Sequence, residues 1–304
     1  MSSLDQGART SGHVAKAPWR TTAFAGASDL ARRALRRGIR EPGLVVAWVL
    51  VLLVLLAAVS PQSFTDLNPL RGVGAKRLLA PSLEHWFGTD HMGRDLFTRV
   101  VYGTGETVRA VVAAVLVGLV AGSAIGLVAG YLGRWVDDVL MRVIDVLLAV
   151  PTLLIALAVI NALGFGTVNI AIAVGIGSVA AFARLMRSEV LKVRHLPYVE
   201  VTRFAGISAP YLLLRHVVPN AAGAVLVLAT LEVGMAILNV SALSFLGFGA
   251  PPPSPEWGLL VAGGRDYMRN AWWLTTMPGL VIAATVISVN RIARSFDGKR
   301  GETF

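Results

Sequence analysis

The run Leu44-Val45-Val46-Ala47-Trp48-Val49-Leu50-Val51-Leu52-Leu53-Val54-Leu55-Leu56-Ala57-Ala58-Val59-Ser60 decides the class of fold. It holds no charge, no proline and no glycine. About 20 apolar residues in a helix cross the ~30 Å hydrocarbon layer of a bilayer. A lone segment at that depth must close its backbone hydrogen bonds within itself, which a helix does. Working outward, five more segments read the same way: Val108 to Gly133, Val139 to Leu163, Val168 to Met186, Val217 to Leu246 and Leu274 to Ile292. The expected fold is an all-α membrane protein with six transmembrane helices.

Composition agrees. Of 304 residues, 55% are hydrophobic and 15% charged, and the mean hydropathy is +0.66. Soluble domains carry about 25% charged residues, so a soluble enzyme is a poor fit. The absence of cysteine excludes disulfides, thiolate metal sites and cysteine nucleophiles. A net charge of +10 would suit a nucleic-acid binder, but the hydropathy would not; no nucleic-acid partner is expected.

The charge instead orients the chain. Lysine and arginine concentrate on the cytoplasmic side of membrane proteins. With the N-terminus inside, twenty of the 28 basic residues are cytoplasmic. Eight of these lie before the first span, between Arg9 and Arg40. Both termini of a multi-pass membrane protein are therefore expected in the cytoplasm. Residues 1–41 read as a basic segment, with Ser28 able to cap an interfacial helix from Asp29 to Ile39. Residues 42–107 read as the first span and a long outer loop, 108–293 as a five-helix core, and 294–304 as a tail.

Two spans carry backbone signals. Gly118, Gly122, Gly126 and Gly130 recur on one helical face, where small residues let helices approach closely. Pro151 interrupts the third span and is expected to kink it. The outer loop Gly247 to Trp273 is rich in proline, glycine and tryptophan, and reads as an interfacial or re-entrant cover.

The inner stretch Arg187 to His216 is too long for a simple turn. Tyr198 to Ala205 can form two helical turns, Gly206 suits the bend after them, and Ser208 can cap a second helix with Pro210 in its first turn. The expectation is a rigid cytoplasmic helical hairpin between spans four and five. On residues alone, a partner-docking projection and a solvated connector with a local Glu200–Arg203 pair both stand.

The segment Tyr198 to Ser208, with Arg215-His216-Val217-Val218-Pro219-Asn220, resembles the EAA loop of bacterial ABC importer permeases. Gly88-Thr89-Asp90-His91-Met92-Gly93-Arg94-Asp95 is similar to a signature of the C-type permease subunits of dipeptide, oligopeptide and nickel importers. So are Leu243 to Gly249, Pro255-Glu256-Trp257-Gly258 and Pro278-Gly279. The likeness covers roughly residues 40 to 290. It departs at Val201-Thr202, where the family prefers two alanines, and in the tail after Asn290.

The resemblance implies a permease subunit of a binding-protein-dependent importer for short peptides; nickel or glutathione-like cargo on the same machinery is the alternative. The hairpin would be a coupling helix docked on an ATPase, through Glu200, Arg203, Phe204, Gly206, Ser208, Arg215, His216, Pro219 and Asn220. Implied partners are a second, related permease subunit, two cytoplasmic ATP-binding subunits and an extracytoplasmic substrate-binding protein. ATP and magnesium would belong to those ATPases. This chain has no GxxxxGK[ST] phosphate loop and no nucleophile–base constellation, so it is expected to be no enzyme and to bind no cofactor of its own.

Glu232 and Asp145 fall inside spans, where a carboxylate is expensive and is expected to face protein or water. With Asn239 they are the candidates for a translocation path; interhelical hydrogen bonding is the alternative, with Arg142 the candidate partner of Asp145. An ion-driven secondary transporter using those acids is a further alternative. The five histidines show no metal-ligand spacing, so no metal site is expected.

Overall fold

A computed structural model describes residues 42–194, 196–197 and 208–297. The expected interfacial helix at Asp29 to Ile39, the end of the tail and the centre of the cytoplasmic hairpin lie outside the described residues. Within them the chain is helical, with one isolated antiparallel bridge between Thr89 and Asp95. Five helices are long and apolar enough to cross a membrane, and a bent pair makes a sixth if counted as one span.

Helix α1, Pro42–Val59, is the run quoted above. It is apolar on every side, and only Ala47 and Ala57 are buried. A helix of that kind needs an apolar surround rather than a single apolar neighbour. Residues 60–95 then form a compact segment with two short 3-10 turns, Pro61–Ser63 and Gly74–Lys76.

Helix α2, Leu96–Leu132, is 37 residues long, or about 55 Å at 1.5 Å per residue. It starts well before the expected Val108. Asp95 caps it by accepting from the Thr98 N–H at 2.7 Å. Hydropathy obscured this first part because Thr98, Arg99, Thr104 and Thr107 are polar, yet all four are buried against other segments of the chain.

The expected small-residue face is present on α2 and meets α5, Thr167–Arg194. A Cβ at Gly122 would stand 2.5 Å from the Val179 carbonyl oxygen and 2.6 Å from Phe182 Cβ. One at Gly126 would stand 2.9 Å from both the Arg187 nitrogen and Met186 Cβ. Backbone-to-backbone approach along this seam makes α2 and α5 the central pair of the bundle.

The third expected span is broken rather than kinked. Helix α3, Arg134–Ala149, ends before Pro151, and α4, Thr152–Leu163, leaves at 96° to it. Pro151 supplies no N–H and keeps the preceding Val150 extended, so the hydrogen-bond ladder stops there. Gly164 and Gly166, at φ of 91° and 133°, carry the chain from α4 into α5.

From Ser208 the described chain continues as a four-residue helix α6, Ala209–Leu212, and a wide π-type turn, Leu213–Val217. These run directly into α7, Val218–Phe245. Ser208 stands just before α6, and its carbonyl accepts from the Leu212 N–H at 3.1 Å. Helices α8, Trp257–Gly264, and α9, Trp273–Asp297, complete the fold. Helix α7 packs on α2, α5 and α9, and α8 wedges against α7 and α9.

Candidate functional site

Three features stand out: a cleft among the helices that carries Glu232 and Asn239, a set of arginine contacts on the last turns of α5, and an interlocked cap at the far end of α2.

The cavity, about 140 Å³, is bounded by Leu148 of α3, Thr152 of α4, Ser178 of α5, and Glu232, Met235 and Asn239 of α7. Glu232 and Asn239 lie two turns apart on one face of α7, so one helix brings both to the same space. The break at Pro151 places Leu148 and Thr152, from either side of the bend, at its wall. Thr152 can sit that close because residue 177 is a glycine; a Cβ there would overlap the Thr152 methyl.

Asp145 is not part of this cavity. Its Oδ1 accepts from Arg184 Nη2 of α5 at 2.6 Å, and both side chains are more than half exposed. The expected neighbour, Arg142, is not its partner: three residues along the same helix, it loses to an arginine that faces Asp145 from α5. Two turns back on α3, Asp137 receives Arg187 through both Nε and Nη2, at 2.5 and 2.6 Å. Further along α5, Arg194 Nη1 donates to the Gly130 carbonyl at the end of α2, at 2.9 Å. Three arginines thus fasten the last three turns of α5 to α3 and α2. Sequence reasoning read all three only as topology charges. A spacing signal was present: Asp137 and Asp145 share one face of α3, and Arg184 and Arg187 one face of α5.

Helix α5 is described to Arg194, so the clamped turns are the ones that precede the stretch where the hairpin is expected. Glu200, Arg203, Phe204 and Gly206 lie outside the described residues. Ser208, Arg215, Pro219 and Asn220 are exposed. His216 falls in the wide turn, next to Arg215.

At the far end of α2 the segment 88–95 folds on one carboxylate. Asp90 Oδ1 accepts from the N–H groups of Met92 and Arg94, at 2.8 and 3.0 Å, and Oδ2 from Arg94 Nε at 2.6 Å. Arg99 lies 3.5 Å from the same carboxylate, and its Nη2 reaches the Pro253 carbonyl at 3.3 Å. His85 Nδ1 pairs with Asp95 at 2.8 Å, a contact that spacing had not suggested. Gly93, at φ 73°, lies so close to Val73 that a Cβ would overlap its carbonyl oxygen.

Of the three tryptophans of the last loop, Trp257 and Trp273 are core residues, while Trp272 is exposed. Trp257 is 1% exposed, and its Nε1–H donates to the Val100 carbonyl at 3.0 Å. Trp273 Nε1–H donates to the Thr89 carbonyl at 3.3 Å. Beside Trp257, Glu256 is also 1% exposed and caps α8 through the Gly258 N–H. Burial pushes its carboxyl up to about 7; Ser244 and the Gly258 N–H pull it down, and Glu106 adds to the rise. The Ser244 hydroxyl tempers that titration without meeting hydrogen-bond geometry at Oε2, which has no partner.

Five apolar helices of membrane-spanning length and a bent pair, packed around a cleft that holds Glu232 and Asn239, fit a membrane component. Residues 122–301 match the family described as binding-protein-dependent transport system inner membrane component. The chain is 35% identical to the dipeptide transport system permease protein of Alkalihalophilus pseudofirmus, over 95% of this chain and 90% of that one. It is 38% identical to the glutathione transport system permease protein of Pectobacterium atrosepticum, over 87% of each chain. Among solved structures, an amino acid ABC transporter crystallised with histidines shares the fold: TM-score 0.51, 15% identity, 67% of this chain and 94% of that one covered. The chain belongs to the binding-protein-dependent inner-membrane permease family of ABC importers.

Proposed function

We propose that this chain forms half of the membrane channel of an importer for short peptides. The cargo reading is supported by relatives named for dipeptide and glutathione transport, both peptide-bonded compounds. The concentration of basic residues supports an orientation with both termini and the hairpin in the cytoplasm and the cap of residues 60–95 and 246–272 outside. A second, related permease subunit completes the channel. A substrate-binding protein delivers cargo to the cap, and two ATP-binding subunits, which use ATP and magnesium, seat on the hairpin. This chain itself hydrolyses nothing.

The observation that carries the mechanism is the clamp on α5. Arg184, Arg187 and Arg194 tie the turns nearest the hairpin to α3 and α2. A displacement of the hairpin is therefore carried by α5 as a rod, and α3 and α5 both line the cavity that holds Glu232 and Asn239. ATP-driven closure of the motor subunits biases the bundle between inward-open and outward-open arrangements, and cargo follows the population shift. Glu232 faces the ammonium end of the passing peptide, with Asn239 beside it; Asp145 serves the clamp.

Co-purification and uptake test this reading together. The chain expressed with its neighbouring subunits is expected to retain the ATPase and to drive ATP-dependent dipeptide uptake into proteoliposomes. Glu200→Arg is expected to abolish both. An ATPase still bound and fully coupled in that variant would overturn the assignment of the hairpin.

A further inference from the structure

The loop that carries α8 is seated at a junction of three helices, and Glu256 stands in the middle of it. From α2, Thr107 Oγ1 accepts from the Trp257 N–H at 3.3 Å, and a Cβ at Gly103 would overlap the Pro255 carbonyl oxygen. From α7, a Cβ at Gly258 would overlap the Ser241 carbonyl oxygen and stand 2.8 Å from Ser244 Cβ. Residues 255–258 are thus held backbone to backbone between α2 and α7. The carboxyl of Glu256 is buried there. Its Oε1 accepts from the Gly258 N–H at a long 3.4 Å, and its Oε2 has no hydrogen-bond partner.

None of the groups that act on its charge is a cation. A carboxyl buried without a cation is held in its neutral form. Few other groups near the junction can answer to pH. Glu256 is the single titratable residue between Val233 and Gly264, a stretch that covers the outer half of α7, the loop and α8. Helix α9 has none from Trp273 to Asn290. Helix α2 brings Glu106, which is held by Arg109, and Arg99, which reaches the Pro253 carbonyl. Beyond α8, His91 stacks on Tyr267 with 5.3 Å between ring centroids, so His91 is the rival titrating group. Pro255, the residue before Glu256, lines the open cleft beside Val59 and Glu106, which gives a proton a short way in and out.

We propose that Glu256 is a proton-operated latch on the outer loop: protonated, it seats α8 between α2 and α7; ionised, it loosens that seat, and import slows as the medium outside turns alkaline. The link to import rests on the orientation and the binding-protein docking proposed above, since an unseated loop offers that protein no fixed surface. The sign follows from linkage. Once the junction opens, the carboxyl titrates near its ordinary 4.5, whereas in the seated loop it keeps its proton up to about 7. The seat is therefore firmest below about 4.5, weakens as pH rises to about 7, and is level above that. Between pH 6 and pH 8 the opening equilibrium is expected to shift about tenfold.

Amide hydrogen exchange of residues 255–264 reads this in the full chain with its partner subunits in nanodiscs. After correction for the intrinsic pH dependence of exchange, protection is expected to fall about tenfold from pH 6 to pH 8 and to level off above. Glu256→Gln is expected to remove the fall. Ser244→Ala removes a hydroxyl that holds the titration down, so it should move the fall to higher pH. His91→Gln should leave the fall in place. Equal protection of the wild type at pH 6 and pH 8, a fall that survives Glu256→Gln, or one that His91→Gln abolishes would each overturn the latch. In proteoliposomes, with pH stepped on the binding-protein side alone, uptake should fall over the same range in wild type and stay level in Glu256→Gln. Wild-type uptake that ignores the step would overturn the link to import. The exchange readout needs no cargo, so a complex that takes up no peptide at any pH counts against the importer reading, while exchange still decides the latch.

Discussion

Arg187 on α5 holds Asp137 on α3 through two guanidinium nitrogens, at 2.5 and 2.6 Å, across 50 residues of sequence. The Asp137 side chain is 13% exposed and that of Arg187 35%, so the pair is only partly screened by water. Bidentate geometry is open to arginine and closed to lysine. Arg187→Lys is expected to cost about 1–2 kcal/mol of stability. In a double-mutant cycle with Asp137→Asn the two losses should fall short of additive. Thermal unfolding of the four proteins measures this; strict additivity would show that the pair carries no coupling.

The cap predicts a larger loss. Asp90 serves Arg94 and Arg99 while buried, with 8% of its side chain exposed. Removing the charge leaves two guanidinium groups inside without their counter-ion. Asp90→Asn is expected to destabilise by about 3–5 kcal/mol. Low yield or early unfolding in detergent would register it, and unfolding at the wild-type temperature would contradict it.

Glycine packing gives a matched pair of substitutions. At Gly122 a side chain meets the α5 backbone, whereas at Gly263 nothing stands within 4 Å. Gly122→Val is expected to cost about 1–3 kcal/mol or more by overpacking, while Gly263→Ala should be neutral or slightly stabilising. Thermal stability of the two purified variants decides the comparison.

Glu256 predicts a pH dependence. Its carboxyl ordinarily titrates near 4.5 and in the folded chain near 7. The folded state therefore binds the proton more tightly. Its contribution to stability is highest below about 4.5, declines as pH rises towards about 7, and is level above that. Glu256→Gln keeps a neutral cap in place and removes this slope. A higher unfolding temperature than wild type is expected at pH 8, with little difference at pH 5. The same offset at both pH values would show that the carboxyl does not titrate in this window.

Glu232 predicts a cargo effect under the proposed function. Glu232→Gln is expected to lower uptake of peptides with a free N-terminus about tenfold, equivalent to about 1.4 kcal/mol. N-acetylated peptides should enter at the wild-type rate. Equal loss for both classes would mark Glu232 as structural.

The sequence by itself determined the class of fold and most of the spans. A 17-residue apolar run from Leu44 to Ser60 has few other uses, and the same physics located α5, α7 and α9 to within a few residues, α5 at its start alone. It also marked the glycine seam and put Glu232 and Asn239 on one face, because helical periodicity is local. Where reading failed, the deciding partners were distant in sequence. The start of α2 was missed because Thr98, Arg99, Thr104 and Thr107 look like loop until the segments that bury them are known. Asp145 looked like the neighbour of Arg142 until α5 brought Arg184 to it. Only the tertiary structure decided that Pro151 turns the chain through 96° rather than bending it, and that Trp257 lies in the core with its N–H on Val100. A kink angle and a buried indole depend on what packs against them, and one segment's residues do not specify their neighbours.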